Sequence, residues 1–475
     1  MLDLNKHFID GAWSSSSGDV IEAIDPSTET VFARVARGTA NDVDHAVNAA
    51  RAAFPAFAAT PVGERIRLLE AIASGLEARR TEISEAMSVE MGVPRKAADA
   101  VHFPSGPAHF REAARVLASF AFDEQQGSTM VTHEPIGVCG LITPWNFPIN
   151  QVACKVAPAL AAGCTMVLKP SEISPWSAAI IAEVIADAGA PSGTFNLVQG
   201  DGLTTGSALT VHPLVDMISF TGSTRAGVEI SKAAADTVKR VTLELGGKSP
   251  NIILPDADLE DAVSKGVARC FNNSGQSCIA PTRMLVPRPL LEKAEAIAAR
   301  VAGETLAGPA DSPGSVIGPV ANAAQFAKVQ AYIEAGVASG ARLVAGGPGR
   351  PDGIVRGFVV QPTVFSDVDP SMAIAREEIF GPVLCLIPYE DENDAVRIAN
   401  DIPYGLAAFV QGRDMTAVRR VARQMRAGIV QMNYPPVDRS APFGGYKQSG
   451  NGREWGVHGL REYLEVKAMV GFGEA

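Results

Sequence analysis

Residues 165–200 read TMVLKPSEISPWSAAIIAEVIADAGAPSGTFNLVQG. Thr165 to Leu168 and Phe195 to Val198 are short apolar runs bounded by turn residues, as buried strands are. Trp176 to Ala188, between them, has helical character. Strand, helix, strand in series is the pattern of parallel pairing through a crossover. The alternation continues outward. Met217 to Phe220 and Val241 to Leu245 read as further strands flanking the helix-like Ala226 to Thr237, and a second series opens with Asn251 to Leu254 and Arg283 to Val286. Upstream, in ERIRLLEAIASGLEARR (64–80), Ile66, Leu69, Ile72 and Leu76 recur at helical spacing with charges on the other face. This is the pattern of an α/β fold with largely parallel sheets.

Two segments differ. Gly127 to Thr143 is rich in β-branched residues, and Tyr463 to Phe472 alternates as a strand does. Each is either an internal edge strand or a strand that pairs with another subunit's sheet edge. Gly346 to Gly357, rich in Gly and Pro, reads as a surface loop.

At 475 residues the chain is long enough for about three compact units. A hydrophobic share of 47% supplies ample core, which excludes disorder as the main state. Lys and Arg number 41 against 52 Asp and Glu, so no basic surplus exists to neutralise a phosphate backbone, and nucleic acid is not an expected partner. The start, MLDLNKHFIDGAWSSSS, lacks the basic-then-apolar order of a secretory signal. Ile149 to Leu168 is apolar but interrupted by Asn150, Gln151, Lys155, Pro158 and Gly163, so it is expected as a buried helix and strand and not a membrane span. Six cysteines without Cys-x-x-Cys spacing and seven histidines without a His-x-x-x-His pair argue against both a disulfide framework and a zinc site. The expectation is a cytoplasmic protein with no metal.

Five motifs carry chemistry. In FNNSGQSCIAPTR (271–283), Cys278 follows Gly275-Gln276-Ser277 and is either a nucleophile or an inert buried thiol. TLELGGKSP (242–250) places Glu244 near a strand's carboxyl end, where a sheet of this kind binds ligands and where a buried carboxylate can act as a base. In LITPWNFPIN (141–150) two prolines bracket Trp145-Asn146-Phe147, and Asn146 can donate its amide to a developing oxyanion. FTGSTRAG (220–227) runs from a strand through Gly222-Ser223 into a helix whose amino terminus can hold a phosphate, with Gly227 one turn on. VLKPSE (167–172) sets Lys169 and Glu172 after a strand, where a glutamate can bind ribose hydroxyls.

These segments, in this order, resemble the aldehyde dehydrogenase superfamily, as do EEIFGPV (377–383) and PFGGYKQSGNGRE (442–454). The resemblance spans nearly the whole chain. It implies a Rossmann-like cofactor domain (1–120 and 139–246), an α/β catalytic domain (247–448) and small β oligomerisation strands (121–138 and 460–475), assembled as a homodimer or homotetramer. It further implies that Cys278 attacks an aldehyde to give a thiohemiacetal, its oxyanion held by Asn146 and the Cys278 N–H. Hydride transfer to NAD gives a thioester, and water activated by Glu244 hydrolyses it. By the same carry-over Gly222, Ser223 and Gly227 meet the pyrophosphate, Lys169 and Glu172 the adenosine ribose, and Glu378 the nicotinamide ribose. Phe380, Trp145 and Leu245 lie along the cofactor, for which NAD is expected over NADP. Lys155 and Glu454 are either a proton relay or a structural ion pair. The implied substrate tunnel is lined by Phe147, Asn150, Gln151, Cys154, Ser277, Ile279, Val437 and Phe443. Asn150, Gln151 and Cys154 stand where many relatives carry larger apolar groups, which suggests a more polar or roomier mouth. Arg439 is either a surface arginine or a partner for a substrate carboxylate. The rival functions are a coenzyme A-acylating relative and a catalytically silent binding protein on the same fold.

Overall fold

The computed structural model describes residues 1–16 and 18–473. Its largest sheet has eight strands. In spatial order they are Gly450–Asn451, Arg240–Glu244, Met217–Thr221, Val138–Ile142, Thr165–Lys169, Phe195–Leu197, Lys6–Ile9 and Ala12–Ser15. The five strands from Arg240–Glu244 to Phe195–Leu197 are parallel, and the flanking ones antiparallel. The expected helices fall between them as Pro175–Asp187 and Thr224–Ala234. In chain order the parallel strands run outward in both directions from Val138–Ile142, so the order reverses beside Met217–Thr221. In such sheets that reversal opens a crevice at the strands' carboxyl ends.

The apolar stretch after Phe147 is helix Pro148–Ala162 followed by strand Thr165–Lys169, both buried, with Gly163 closing the helix in the left-handed conformation. Ile149, Val156 and Leu160 lose all solvent contact. Each such burial contributes about 1.5–3 kcal/mol. The helix is therefore a core element of the first unit, the one built on the eight-stranded sheet. No helix among the described residues is long and apolar enough to cross a membrane.

A second sheet of seven strands is formed by Arg342–Ala345, Thr363–Ser366, Val383–Tyr389, Arg283–Pro287, Pro250–Ile253, Ala407–Gln411 and Ile429–Met432, all parallel except the first. Gly127 to Thr143 does not form one strand. It divides into Thr129–Pro135 and Val138–Ile142, which belong to different sheets. Thr129–Pro135 pairs antiparallel with Leu464–Val470 and with Asp123–Gln126, so the two segments with strand character meet inside one chain as a small third sheet. Asp123–Gln126 is fully exposed and Leu464–Val470 mostly so. Residues 474 and 475 of the expected terminal segment lie outside the described residues. A fourth, three-stranded sheet (Leu2–Leu4, Thr30–Ala36, Val20–Asp25) packs near the amino terminus.

Candidate active site

Parallel strands deliver the site from their carboxyl ends. Val138–Ile142 leads into Trp145-Asn146-Phe147, Met217–Thr221 into Gly222-Ser223, and Arg240–Glu244 ends on Glu244 itself. Ser223 caps helix Thr224–Ala234, its Oγ accepting from the Ala226 N–H at 3.2 Å. The second unit supplies Cys278 from a loop after helix Leu259–Phe271.

That loop is held in an unusual backbone path. Asn273, Ser274 and Gly275 have φ of 53°, 56° and 72° in succession. The Ser274 hydroxyl donates to the Gly318 carbonyl at 2.7 Å, and Gln276 Oε1 accepts from the Ala321 N–H at 2.9 Å. A Cβ on Gly275 would lie 2.0 Å from the Gly381 carbonyl oxygen, so only glycine fits. Gly275→Ala is accordingly expected to cost about 1–3 kcal/mol or more and to displace Cys278. A melting temperature close to the parent's, with unchanged turnover, would contradict this.

The loop also reaches across to the first unit. Asn146 Nδ2 donates to the Gln276 carbonyl at 3.1 Å, and Asn273 Nδ2 donates to the Asn146 carbonyl at 2.8 Å. One hydrogen of the Asn146 amide is thereby fixed, leaving the other free. Asn146 is buried, so that donor is pre-oriented.

Two cavities meet at Cys278. The smaller, about 200 Å³, is walled by Trp145, Asn146, Gly222, Ser223, Glu244, Leu245, Glu378 and Phe380. Trp145 and Phe380 stand edge-on with ring centroids 5.6 Å apart. The larger, about 460 Å³, is lined by Phe147, Asn150, Ser277, Ile279, Val437, Phe443 and Glu454. Gln151 and Cys278 belong to both. Of the six cysteines, Cys278 alone keeps partial solvent exposure.

Both oxygens of the buried Glu244 carboxyl lack a partner. Burial, and then the Glu454 carboxylate, push Glu244 well above the usual carboxylate range, with Lys155 pulling the other way. Burial, and then the carboxylates of Glu244, Glu378 and Glu454, likewise raise the Cys278 thiol. Lys155, fully buried, donates to Glu454 Oε1 at 2.5 Å and to Ser219 Oγ at 3.1 Å. Burial pulls the Lys155 ammonium down, but Glu454, Cys154 and Glu244 together outweigh it and leave it raised.

Some residues lie outside the two cavities or have further partners in their walls. Cys154 lines neither of the two cavities. It is buried behind the larger one, its thiol donating to Glu454 Oε2 at 3.3 Å, because the helix turns that side chain into the core. Gly227 faces Leu245, where a Cβ would lie 2.7 Å from a Leu245 methyl, so its small size serves helix-on-strand packing. Lys169 and Glu172 lie apart from the smaller cavity. Lys169 Nζ reaches the Gly200 carbonyl at 3.1 Å and Glu172 Oε2 at 3.5 Å. Asn150 Oδ1 is tied to His109 Nε2 at 2.9 Å, so its polarity is partly spent within the wall.

Other residues escaped sequence reasoning. Gln325 and Lys328 line the smaller cavity from helix Ala323–Ala338. The Gln325 amide donates to the Ile379 and Phe380 carbonyls and so holds Phe380 in its positive-φ turn. Their spacing, three apart on one helix face, was the available signal. Nothing local linked that face to Phe380.

A strand-end crevice and a second, larger cavity thus converge on one cysteine of an α/β fold. The chain matches the aldehyde dehydrogenase family over residues 13–469. It belongs to that family and is an oxidoreductase of aldehydes. Among its relatives, the 3-succinoylsemialdehyde-pyridine dehydrogenase of a Pseudomonas species is 52% identical over 474 residues, 99% of each chain. A crystal structure of aldehyde dehydrogenase C from Pseudomonas syringae, a cysteine-to-alanine mutant holding NAD+ and octanal, superposes with a TM-score of 0.98 at 54% identity, covering 99% of this chain and 97% of that one. The betaine aldehyde dehydrogenase of Staphylococcus aureus, solved with NAD+, gives 0.95 at 35% identity, covering 99% and 95%.

Proposed function

We propose that this chain oxidises an aldehyde to its carboxylic acid with NAD, through a thioester on Cys278. The observation that carries the reading is the junction itself. The cavity walled by Trp145, Gly222, Ser223, Glu378 and Phe380 and the larger cavity share Cys278, and an unpartnered buried carboxyl, Glu244, opens on the first.

The residues present fit the cofactor. The smaller cavity contains an unpartnered buried hydroxyl, Thr221 Oγ1, beside the amino terminus of a helix eleven residues long. That terminus, with Gly222 and Ser223, suits a pyrophosphate. Glu378, anchored by the Gly247 N–H at 3.0 Å, suits a ribose, and the Trp145–Phe380 corner suits a flat ring. NAD bound there supplies the acceptor for the aldehyde's hydride.

The protein's own groups do the rest. Cys278 Sγ bonds to the aldehyde carbon as the thiolate, its proton having passed to solvent, and the carbonyl π electrons move onto oxygen. The free hydrogen of Asn146 Nδ2 and the Cys278 N–H stabilise the oxyanion. Once the thioester has formed, Glu244 takes a proton from water, whose oxygen displaces the thiol. The Lys155–Glu454 pair passes the proton on from Glu244, in keeping with the electrostatic influence of both on that carboxyl.

An unpartnered Glu244 weighs against the coenzyme A-acylating alternative, in which a thiol and not activated water takes the acyl group. An NADH-forming assay over aliphatic, aromatic, amino and carboxylated aldehydes tests the reading. Dependence of turnover on added coenzyme A would reverse it. The eight-stranded unit is then the cofactor domain and the seven-stranded unit the catalytic one. The small sheet, with two exposed edge strands, is the surface on which a homodimer or homotetramer forms. Six unpaired cysteines accord with a cytoplasmic location.

Cofactor choice follows from Glu172. Its carboxylate, steadied by Lys169 at 3.5 Å, accepts hydrogen bonds from free ribose hydroxyls and repels a 2′-phosphate. NAD is therefore expected to exceed NADP by about tenfold or more in kcat/KM. Glu172→Ser should shrink that ratio, chiefly by improving NADP use. Equal efficiency with both cofactors in the parent enzyme would refute it.

A further inference from the structure

Arg439 is an arginine without an acid. It lies half-buried in the irregular stretch after strand Ile429–Met432 and lines the larger cavity together with Cys278. Its Nε is buried and makes no hydrogen bond, and among the described residues no carboxylate pairs with its guanidinium. Its neighbour Asp438 is occupied elsewhere, accepting from the Ser440 N–H at 2.9 Å and the Ser440 hydroxyl at 2.6 Å. His109, the titratable group beside Arg439, is pushed by burial down to about 4 and offers no charge of either sign at neutral pH.

A second arginine of the same wall is in a similar state. Arg269, on helix Leu259–Phe271, stacks on Tyr434 at 4.8 Å and gives its hydrogens to Gln431 Oε1 and to the Tyr434 and Pro435 carbonyls, all neutral acceptors. Among the described residues, the one acidic side chain lining the cavity is Glu454, and Lys155 already pairs with it. The cavity thus holds two guanidinium charges with no counter-charge of their own. Burying a charge without a partner is costly, and chains seldom retain one that nothing balances. A guanidinium fork matches a carboxylate in two parallel hydrogen bonds. An uncharged acceptor, such as a ketone or a ring nitrogen, would satisfy a hydrogen bond but leave the charge unbalanced. Phe147, Ile279 and Phe443 offer apolar walls for the methylenes between the two ends of a substrate.

We propose that the larger cavity selects aldehydes whose far end carries a carboxylate, and that Arg439 is the specificity residue that binds it. The proposal rests on the reading of Cys278 as the nucleophile of an NAD-dependent oxidation. Arg269 adds to the same field.

The test compares straight-chain aldehydes ending in a carboxylate with their methyl esters over a series of chain lengths, with the full chain and NAD. The parent enzyme, Arg439→Met and Arg439→Lys are assayed side by side. The parent is expected to prefer the best carboxylated substrate over its ester by about tenfold or more in kcat/KM, the scale of one charge-assisted hydrogen bond. Arg439→Met should reduce that preference by about tenfold or more, mainly through KM for the acid, and Arg439→Lys should restore part of it. Added salt should weaken use of the acid more than of the ester. A parent enzyme that uses the ester as well as the acid at every length overturns the proposal. So does a preference that Arg439→Met leaves unchanged while its melting temperature shows it folded. Absence of NADH from both substrates in the parent overturns instead the oxidation reading beneath it.

Discussion

Cys278→Ala is expected to lower steady-state aldehyde oxidation by about 10³-fold or more, because no other group in the shared cavity can form the thioester. The five other cysteines are buried, so none can substitute. The affinity for NAD should remain close to the parent's, since alanine removes only the sulfur from a wall otherwise made by Trp145, Ser223, Glu378 and Phe380. Fluorescence titration with NAD and turnover measured on the same preparation separate the two effects. Retention of more than a few per cent of turnover would show that another group attacks. Iodoacetamide should label Cys278 ahead of the other five, and a peptide map in which any of those reacted first would contradict the assignment. Labelling should be slow at neutral pH, because burial and three carboxylates hold the thiol protonated and the thiolate is the reactive form.

Glu244→Gln preserves shape and removes the base. Hydride transfer precedes the step that needs Glu244 for water, so the variant should still give a burst of NADH while steady turnover falls by about 10²–10⁴-fold. Stopped-flow absorbance distinguishes burst from steady state, and an unchanged steady rate at neutral pH would remove Glu244 from deacylation. The pH dependence has a definite sign. A raised carboxyl holds its proton to higher pH than an ordinary one, so the basic form, and with it the rate, grows as pH rises through the shifted value. The parent's kcat should therefore climb with pH on a limb lying above the ordinary carboxylate range, and Glu244→Gln should lose that limb. Glu454→Gln is informative beside it. Removing the neighbouring negative charge lowers the Glu244 value and should move the limb toward acid.

Much of this protein is written locally. The alternation in residues 165–200 is enough to place strand, helix and strand, because short apolar runs between turn residues have few other ways to be buried. The helix after Phe147 was legible despite its apolar length, since Lys155 and Pro158 interrupt it. Cys278 and Glu244 stand out because glycines beside them mark a backbone brought close to other groups, and the Gly275 φ of 72° is the physical content of that mark. The resemblance carried by these motifs then supplied the reaction.

What only the tertiary structure decided are properties of pairs distant in the chain. Asn146 and the cysteine loop are bonded across 130 residues, and Lys155 and Glu454 across 299. Gly127 to Thr143 looked like one strand because both halves share β-branched composition, yet their partners lie in different sheets, and pairing, not propensity, divides them. Cys154 sits in a helix buried on nearly every side, so nothing local tells which residues meet the cavity and which the core. Arg439 makes the same point most sharply. A sequence shows that an arginine is present, but whether any carboxylate folds up against it is settled by packing, and among the described residues none does. The residue types and their local backbone were determined by the sequence read in short windows. The burial of each charge, and the partner it found or lacked, were determined only when the two sheets closed on one another.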